Sequence, residues 1–426
     1  MADADELQAA ELPRDIRIIL TIQGLRAFAY GFASVLLGVV LAAAKLSDFQ
    51  VGAILTAMLA GMALTSIAVG RWGERVGRRR LYGSLLALMG VAGAVFALTR
   101  WFPALLLAAL SGTLSPDPNE SGPITSLEQA MIGGVRASRR VRAFGRYNAV
   151  AFAAGSVGSL AAGLPALLRR AISGVPANQW WLLMFPVIGI VCRVLAARLS
   201  PAVEVGPGPI LPGALRGASG ASLPGKPAPL MRSRATVRKL AVLFALDSFG
   251  GGFITQTFLV FWFGRALGAS TGLLAVVFSV AGILQAGSSM LASPIAARIG
   301  LLNTMVFSHL PSNLALMAVP LAPNLPVAVA ILMARFAISQ MDVPARQAYV
   351  MTMVDPEERV AAAAYTNTAR YLTRPVAPSV GGALMSHVAL GSPFFAAGGV
   401  KILYDILIYF QFRKVPDPGK AQHRTP

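Results

Sequence analysis

The sequence predicts an all-α membrane protein with twelve transmembrane helices in two pseudo-symmetric six-helix bundles. Three observations carry that prediction. Of 426 residues, 55% are hydrophobic and only 13% are charged, about half the charge of a soluble chain. Soluble domains, roughly three at this length, could not clothe their surfaces with so little charge. Apolar stretches of spanning length recur along the whole chain. The two halves also match each other in sequence.

Eleven apolar stretches are long enough to span: 18–44, 51–70, 81–99, 147–168, 179–197, 240–263, 271–295, 302–321, 326–354, 361–386 and 390–412. The interval 103–135 is different, with two apolar pieces around SPDPNESGP. Each piece reaches about 18 Å as helix, short of a hydrocarbon core of roughly 30 Å. Charge parity resolves the interval. Arg71, Arg75, Arg78, Arg79 and Arg80 follow the second stretch, and Arg136, Arg139, Arg140, Arg142 and Arg146 precede 147–168. Both clusters belong on the cytoplasmic side, so an even number of crossings separates them. The stretch 81–99 supplies one and 103–135 must supply the other, broken at 115–123. Irregular backbone at that depth has to face protein or a watery cavity.

The same parity places 198–239 and both termini in the cytoplasm of a cell membrane protein. The net charge of +19 is then topological, and nucleic acid is not an expected partner. The stretch 198–239 is basic and rich in Pro and Gly, without apolar periodicity, and reads as a linker. The expected domains are therefore bundles at 1–197 and 240–426 on either side of it. A single cysteine, Cys192, excludes an internal disulfide and Cys-based clusters. His309, His387 and His423 have no ligand spacing, so no metal, cofactor or enzymatic centre is expected.

The repeat shows at three places. GLRAFAYGF (24–32) matches ALDSFGGGF (245–253), GERVG (73–77) matches AARIG (296–300), and RVRAFGRYN (140–148) matches RVAAAAYTN (359–367). Parallel six-helix repeats of this kind place a substrate site near the midplane between them. The loop Gly70-Arg-Trp-Gly-Glu74-Arg75-Val-Gly77-Arg78-Arg79-Arg80 resembles the G-x-x-x-(D/E)-R-x-G-R-(R/K) motif of the major facilitator superfamily, between helices 2 and 3. The resemblance implies a secondary transporter fold in which Gly70, Glu74, Arg75, Gly77, Arg78 and Arg79 form a reversible latch. Glycines let helix ends approach closely, and the charges pair or cap at neighbouring ends. Plain positive-inside anchoring would explain the arginines but not the Gly/Glu spacing. The stretch Ala377-Pro378-Ser-Val-Gly381-Gly382 resembles the G-P-x-x-G-G antiporter signature, but in the eleventh span rather than the fifth. The arginine motif that the family carries in span 4 is absent there, and Arg335, in the tenth span, stands in a similar context.

Ionisable residues inside spans are expensive unless paired or hydrated, and so mark function. Arg26 occupies the repeat position of Asp247, and Glu128 that of Arg346. Duplicated positions thus carry opposite charges twice. In the fold that the resemblance implies, their spans 1, 4, 7 and 10 line the central cavity. The four form a neutral quartet that selects no sign for the solute. Asp117 and Glu120 lie in the break of span 4, with Glu120 the first proton-carrier candidate and Asp247 the second. Bland readings stand beside these. Thr125-x-x-Glu128 fits a capping box, and Asp342/Arg346 and Lys401/Asp405 fit i, i+4 structural ion pairs.

The expected function is a secondary active transporter working by alternating access, monomeric, surrounded by lipids, with a small solute and candidate protons as partners. A multidrug or organic-compound efflux antiporter is one alternative. A non-transporting sensor or scaffold of the same fold is another. A membrane-embedded enzyme would need a clustered nucleophile–base or metal set, which is not visible.

Overall fold

The computed structural model describes residues 14–44, 46–118, 122–133, 137–204, 232–355 and 358–414. Glu120 and most of the expected linker lie outside them. In the first half the helices are α1 (Arg14–Ala43), α2 (Asp48–Val76), α3 (Arg78–Leu98), α4 (Phe102–Leu110) and α5 (Pro123–Gly133). Then come α6 (Ala137–Ala161), α7 (Leu164–Ala171) and α8 (Met184–Ala197). The second half holds α9 (Arg234–Gly252), α10 (Gln256–Leu267), α11 (Thr271–Ile299), α12 (Leu301–Ala318) and α13 (Leu325–Ile338). It ends with α14 (Asp342–Thr352), α15 (Arg359–Thr373), α16 (Val376–His387) and α17 (Ser392–Phe412).

Among the described residues, 10 helical segments are long and apolar enough to cross a membrane. The expected spans 103–135 and 361–386 are not among them; each is divided between two helices, α4/α5 and α15/α16. The chain is interrupted between α4 and α5, where the sequence predicts it. It is also interrupted at α9/α10, α13/α14 and α15/α16, where the sequence reads continuous stretches. Local chemistry explains two of these. After the glycine run at 250–252, Thr255 caps α10, its Oγ1 accepting from Phe258 N at 3.2 Å. Pro375, without an N–H, starts α16 directly after α15.

One end of the molecule, here the basal end, carries the α2/α3 and α11/α12 junctions. The far end carries the turns before α2, α4, α11, α13 and α17. The basal junctions repeat each other: Gly77 has φ 92° and Gly300 φ 90°, a region that a β-carbon disfavours. Close packing repeats too. α1 lies along α6 as α9 lies along α15. A β-carbon on Gly31 would stand 2.0 Å from the Gly155 carbonyl oxygen, and one on Gly252 would stand 2.3 Å from that of Arg374. Such backbone contact is how helices associate where burial from water supplies no drive.

The described bonds joining 14–204 to 232–414 all lie between mid-depth and the far end. Ser379 N and Oγ bond Thr56 Oγ1 at 2.9 and 2.8 Å, between α16 and α2. Gln256 Nε2 donates to Ser34 Oγ at 2.8 Å. Arg265 pairs with Asp48. At the basal end, described bonds stay within each half: Ser200 N donates to Asp15 at 3.1 Å, and Ser233 N to Glu358 at 2.9 Å.

Candidate functional site

Polar stripes from both halves converge on a cavity of about 570 Å³. On α1, Gln23, Arg26, Ala27 and Tyr30 line it with the i, i+3, i+4, i+7 spacing of one helix face. Asn367, Arg370, Tyr371 and Arg374 repeat that spacing along α15 and just beyond it. The wall extends toward the basal end, where Asn148 and Gln347 are exposed. A larger hollow of about 820 Å³ on the basal surface, beside Arg79, Arg80 and Arg193, is remote from the buried charges.

The first charge cluster ties α1 to α5. Arg26 Nη2 lies 2.5 Å from Glu128 Oε2 and 3.1 Å from Thr125 Oγ1, and Arg26 also meets Gln23 Oε1. Tyr82 and Tyr147 donate their hydroxyls to the two Glu128 oxygens at 2.7 and 2.6 Å. Glu128 is fully buried, so these donors replace the water its carboxylate would otherwise need. The capping-box reading does not hold. α5 starts at Pro123, which leaves Thr125 inside the helix with its hydroxyl turned to Arg26.

The second cluster is the counterpart of the first with the signs exchanged. Arg346 Nη1 on α14 donates to Asp247 Oδ2 on α9 at 2.8 Å and stands 3.4 Å from Asp342. The four repeat-related charges therefore form two pairs, each within one half. Asp247 carries more than its counterpart. Lys401 Nζ donates to its Oδ1 at 2.7 Å, His309 Nε2 stands 3.6 Å away, and Arg370 Nη2 stands 3.9 Å away. Behind them His309 Nδ1 shares a 2.8 Å hydrogen bond with Asp405, which also accepts from Asn313 at 3.1 Å. This corrects the expected Lys401/Asp405 pair. One turn apart on α17, the two residues engage different partners, Asp247 and His309, because both partners are presented at their own heights.

Asp117 in the first break meets the second half. Its Oδ1 accepts from Gln256 N at 2.6 Å, at the start of α10, and its Oδ2 from Arg374 Nη2 at 2.9 Å. The carboxylate thus occupies the positive end of α10, not that of α5 as its position in sequence suggests. The neighbouring Pro116 carbonyl accepts from Thr257 N and Oγ1 at 3.0 and 2.8 Å.

In the basal motif, the acid that caps α3 is Glu204, which follows α8. It accepts from Arg78 N at 2.7 Å and Arg79 N at 3.1 Å, supplying negative charge where unpaired N–H groups point outward. The side chains of Glu74 and Arg75 lie outside the described residues.

Sequence reasoning missed Tyr82, Tyr147, His309, Arg370, Arg374 and Glu204. Arg370 and Arg374 were findable as two cations one turn apart inside an apolar stretch. His309 was findable in the same way, as an ionisable residue inside the stretch 302–321. The tyrosines carry no such signal, since aromatic residues are ordinary in spans.

Broken helices around a central cavity, paired charges in repeat-related positions and a glycine–arginine turn at the α2/α3 junction define a class of membrane transporter. The chain belongs to the Major Facilitator Superfamily, whose model matches residues 19–378 and 240–426. An uncharacterized membrane protein of Saccharomyces cerevisiae, YJR124C, is 26% identical over 431 residues, covering 96% of each chain. A bacterial homolog of the human lysosomal transporter Spinster, in an inward-facing and occupied conformation, shares the fold. Its TM-score is 0.66 at 16% identity, covering 95% of this chain and 97% of that one. A D-xylose–proton symporter shares the fold at TM-score 0.65 and 15% identity, over 95% of this chain and 98% of its own.

Proposed function

We propose that this protein moves small solutes across the cell membrane by alternating access, as a secondary active transporter coupled to protons. One observation carries the reading: a cavity walled by both halves is closed off, among the described residues, by cross-bonds toward the far end only. In this reading 103–135 and 361–386 also cross the membrane, giving twelve spans in bundles 1–197 and 240–426. The basal end, with the arginine clusters and both termini, faces the cytoplasm. The structure then corresponds to the inward-open state.

Rocking one bundle against the other closes the basal side and breaks the far-end bonds. The bonds to be broken include two ion pairs, Arg265 with Asp48 and Arg374 with Asp117, beside hydrogen bonds at Ser379, Gln256 and Thr257. Basal closure therefore has to form contacts of comparable strength. The Gly70–Arg79 motif serves as the latch of the basal-closed state. Arg26 with Glu128 and Arg346 with Asp247 hold spans 1 and 4, and 7 and 10, as rigid pairs. Asp247 is the proton carrier, since it has several cationic neighbours that can trade places. When Lys401 or Arg370 turns away toward solute, Asp247 loses a compensating charge and takes up a proton.

Flux into proteoliposomes under an imposed pH gradient tests this. Solute accumulation that follows the gradient and disappears in Asp247→Asn is the expected result. Flux indifferent to the gradient would remove proton coupling, and no flux with any solute would remove the transporter reading.

A further inference from the structure

We infer that the solute is a small anion whose carboxylate or phosphate is bound by Arg335 and Arg370. This rests on the transporter reading above and assigns its substrate class. Among the described residues, six cations line the cavity: Arg26, Arg335, Arg346, Arg370, Arg374 and Lys401. Four carboxylates oppose them, with Asp117, Asp247 and Asp342 in the wall and Glu128 behind Arg26. Contact distances show where the excess of two resides. Arg26 is ion-paired with Glu128, Arg374 with Asp117, and Arg346 and Lys401 with Asp247, with Asp342 beside Arg346. The Nε of Arg26 and of the ion-paired Arg374 lacks a hydrogen bond, so the ion pair and not the Nε sets these four apart. Asp405, one layer further back, is engaged by His309 and Asn313.

Arg335 and Arg370 are left over. Arg335, on α13, has no hydrogen bond or ion pair among the described residues. It rests against the Phe336 ring at 5.2 Å, with its Nε buried and unpartnered. Arg370 has only the 3.9 Å approach to Asp247, whose near oxygen Arg346 already holds at 2.8 Å, and its Nε is buried and unpartnered too. Both side chains are partly exposed to the cavity, Arg370 at 29%, and a guanidinium with free N–H groups there binds an anion by charge-assisted hydrogen bonds. Both project into a cavity sized for a small molecule, so an entering anion supplies the missing acceptors. The planar fork suits a carboxylate or a phosphate equally, with two parallel N–H donors. Amides at Gln285, Gln340 and Asn367 give the rest of the ligand partners for hydroxyl or amide groups. A cationic solute would meet the same excess as repulsion.

The sign of the potential can be read without knowing the ligand. In a Cys192→Ser background, Ser339→Cys and Asn367→Cys place thiols near Arg335 and Arg370 on the cavity wall. Each full-length protein, in proteoliposomes, is modified with anionic sulfonatoethyl and with cationic trimethylammonioethyl methanethiosulfonate. Rates are normalised to those of free 2-mercaptoethanol. The expected result is an anion preference on the order of tenfold that falls toward one when Arg335→Gln and Arg370→Gln are added, singly or together. A parent ratio at or below one, or a ratio indifferent to both substitutions, overturns the inference.

Uptake of labelled succinate, inorganic phosphate, glucose and tetraethylammonium separates the remaining outcomes. Succinate or phosphate uptake, lost in Arg335→Gln, supports the assignment and tells carboxylate from phosphate. Uptake of glucose or tetraethylammonium without either anion overturns it and leaves the transporter reading standing. If nothing moves while the thiols prefer the anion, the transporter reading falls and anion binding stands.

Discussion

Arg346 reaches across from α14 to Asp247 on α9 at 2.8 Å, in the place where the first half sets Glu128 against Arg26 at 2.5 Å. The polarity of the pair is reversed while its position is kept. Each pair fixes two helices of its own half, so neither must break when the halves move.

Removing one partner leaves a buried charge exposed to nothing. Asp247→Asn should cost about 3 kcal/mol, read as a lower unfolding temperature in detergent. Adding Arg346→Gln should recover part of the loss, and adding Arg26→Gln should recover none. Rescue by Arg26→Gln would mean that the pairs form across the halves.

Glu128 holds two tyrosines with one carboxylate. Tyr82→Phe and Tyr147→Phe should each cost about 1.5 kcal/mol or more, the range for hydrogen bonds to charged groups. The double variant should deviate from additivity by at least about 0.5 kcal/mol, because the sites share an acceptor. Strict additivity in thermal unfolding would show that the hydroxyls act independently.

Helix contact through bare backbone predicts a sharp contrast among glycines. Gly31→Ala and Gly252→Ala should abolish folded yield, since the added carbon falls 2.0 and 2.3 Å from a carbonyl oxygen. Gly399→Ala meets nothing within 4 Å and should be neutral or stabilising by up to about 1 kcal/mol. Size-exclusion profiles after expression distinguish these results.

Thr56 and Ser379 hold their hydroxyls 2.8 Å apart across the far end. With Cys192→Ser, the pair Thr56→Cys/Ser379→Cys should form a disulfide on oxidation and stop flux, with recovery on adding reductant. Undiminished flux in the crosslinked protein would mean that the far end need not open.

Ten of the spans, the break between α4 and α5 and the inverted charges were legible because each is a one-dimensional pattern: apolar length, a polar Pro-rich interruption, spacing between repeats. Partner choice was not. Lys401 lies four residues from Asp405, an arrangement that reads as a helix-face pair, yet α9 and α12 bring Asp247 and His309 closer to the charged atoms. Arg26 could have met either acid from sequence alone, and only the packing of α1 against its own half decides. The break at α9/α10 stayed hidden because its glycine run, 250–252, sits between apolar residues, whereas the one at α15/α16 was marked by Arg370, Arg374 and Pro375. The cavity's positive excess was hidden for a related reason: balance was judged on four residues, while Arg335 and Arg370 come from helices whose facing is set by tertiary packing.

The contact between Pro116 and Thr257 has a consequence for how this molecule tolerates change. A carbonyl oxygen of one half accepts from a main-chain nitrogen of the other at 3.0 Å, and neither atom belongs to a side chain. Random substitution at these positions can remove the Thr257 hydroxyl, but it leaves that bond in place unless proline arrives at 257. The seam therefore survives sequence drift that would erase an ion pair such as Arg265 with Asp48. Its register is carried by the path of the backbone, which only insertions, deletions or a refolded break can shift.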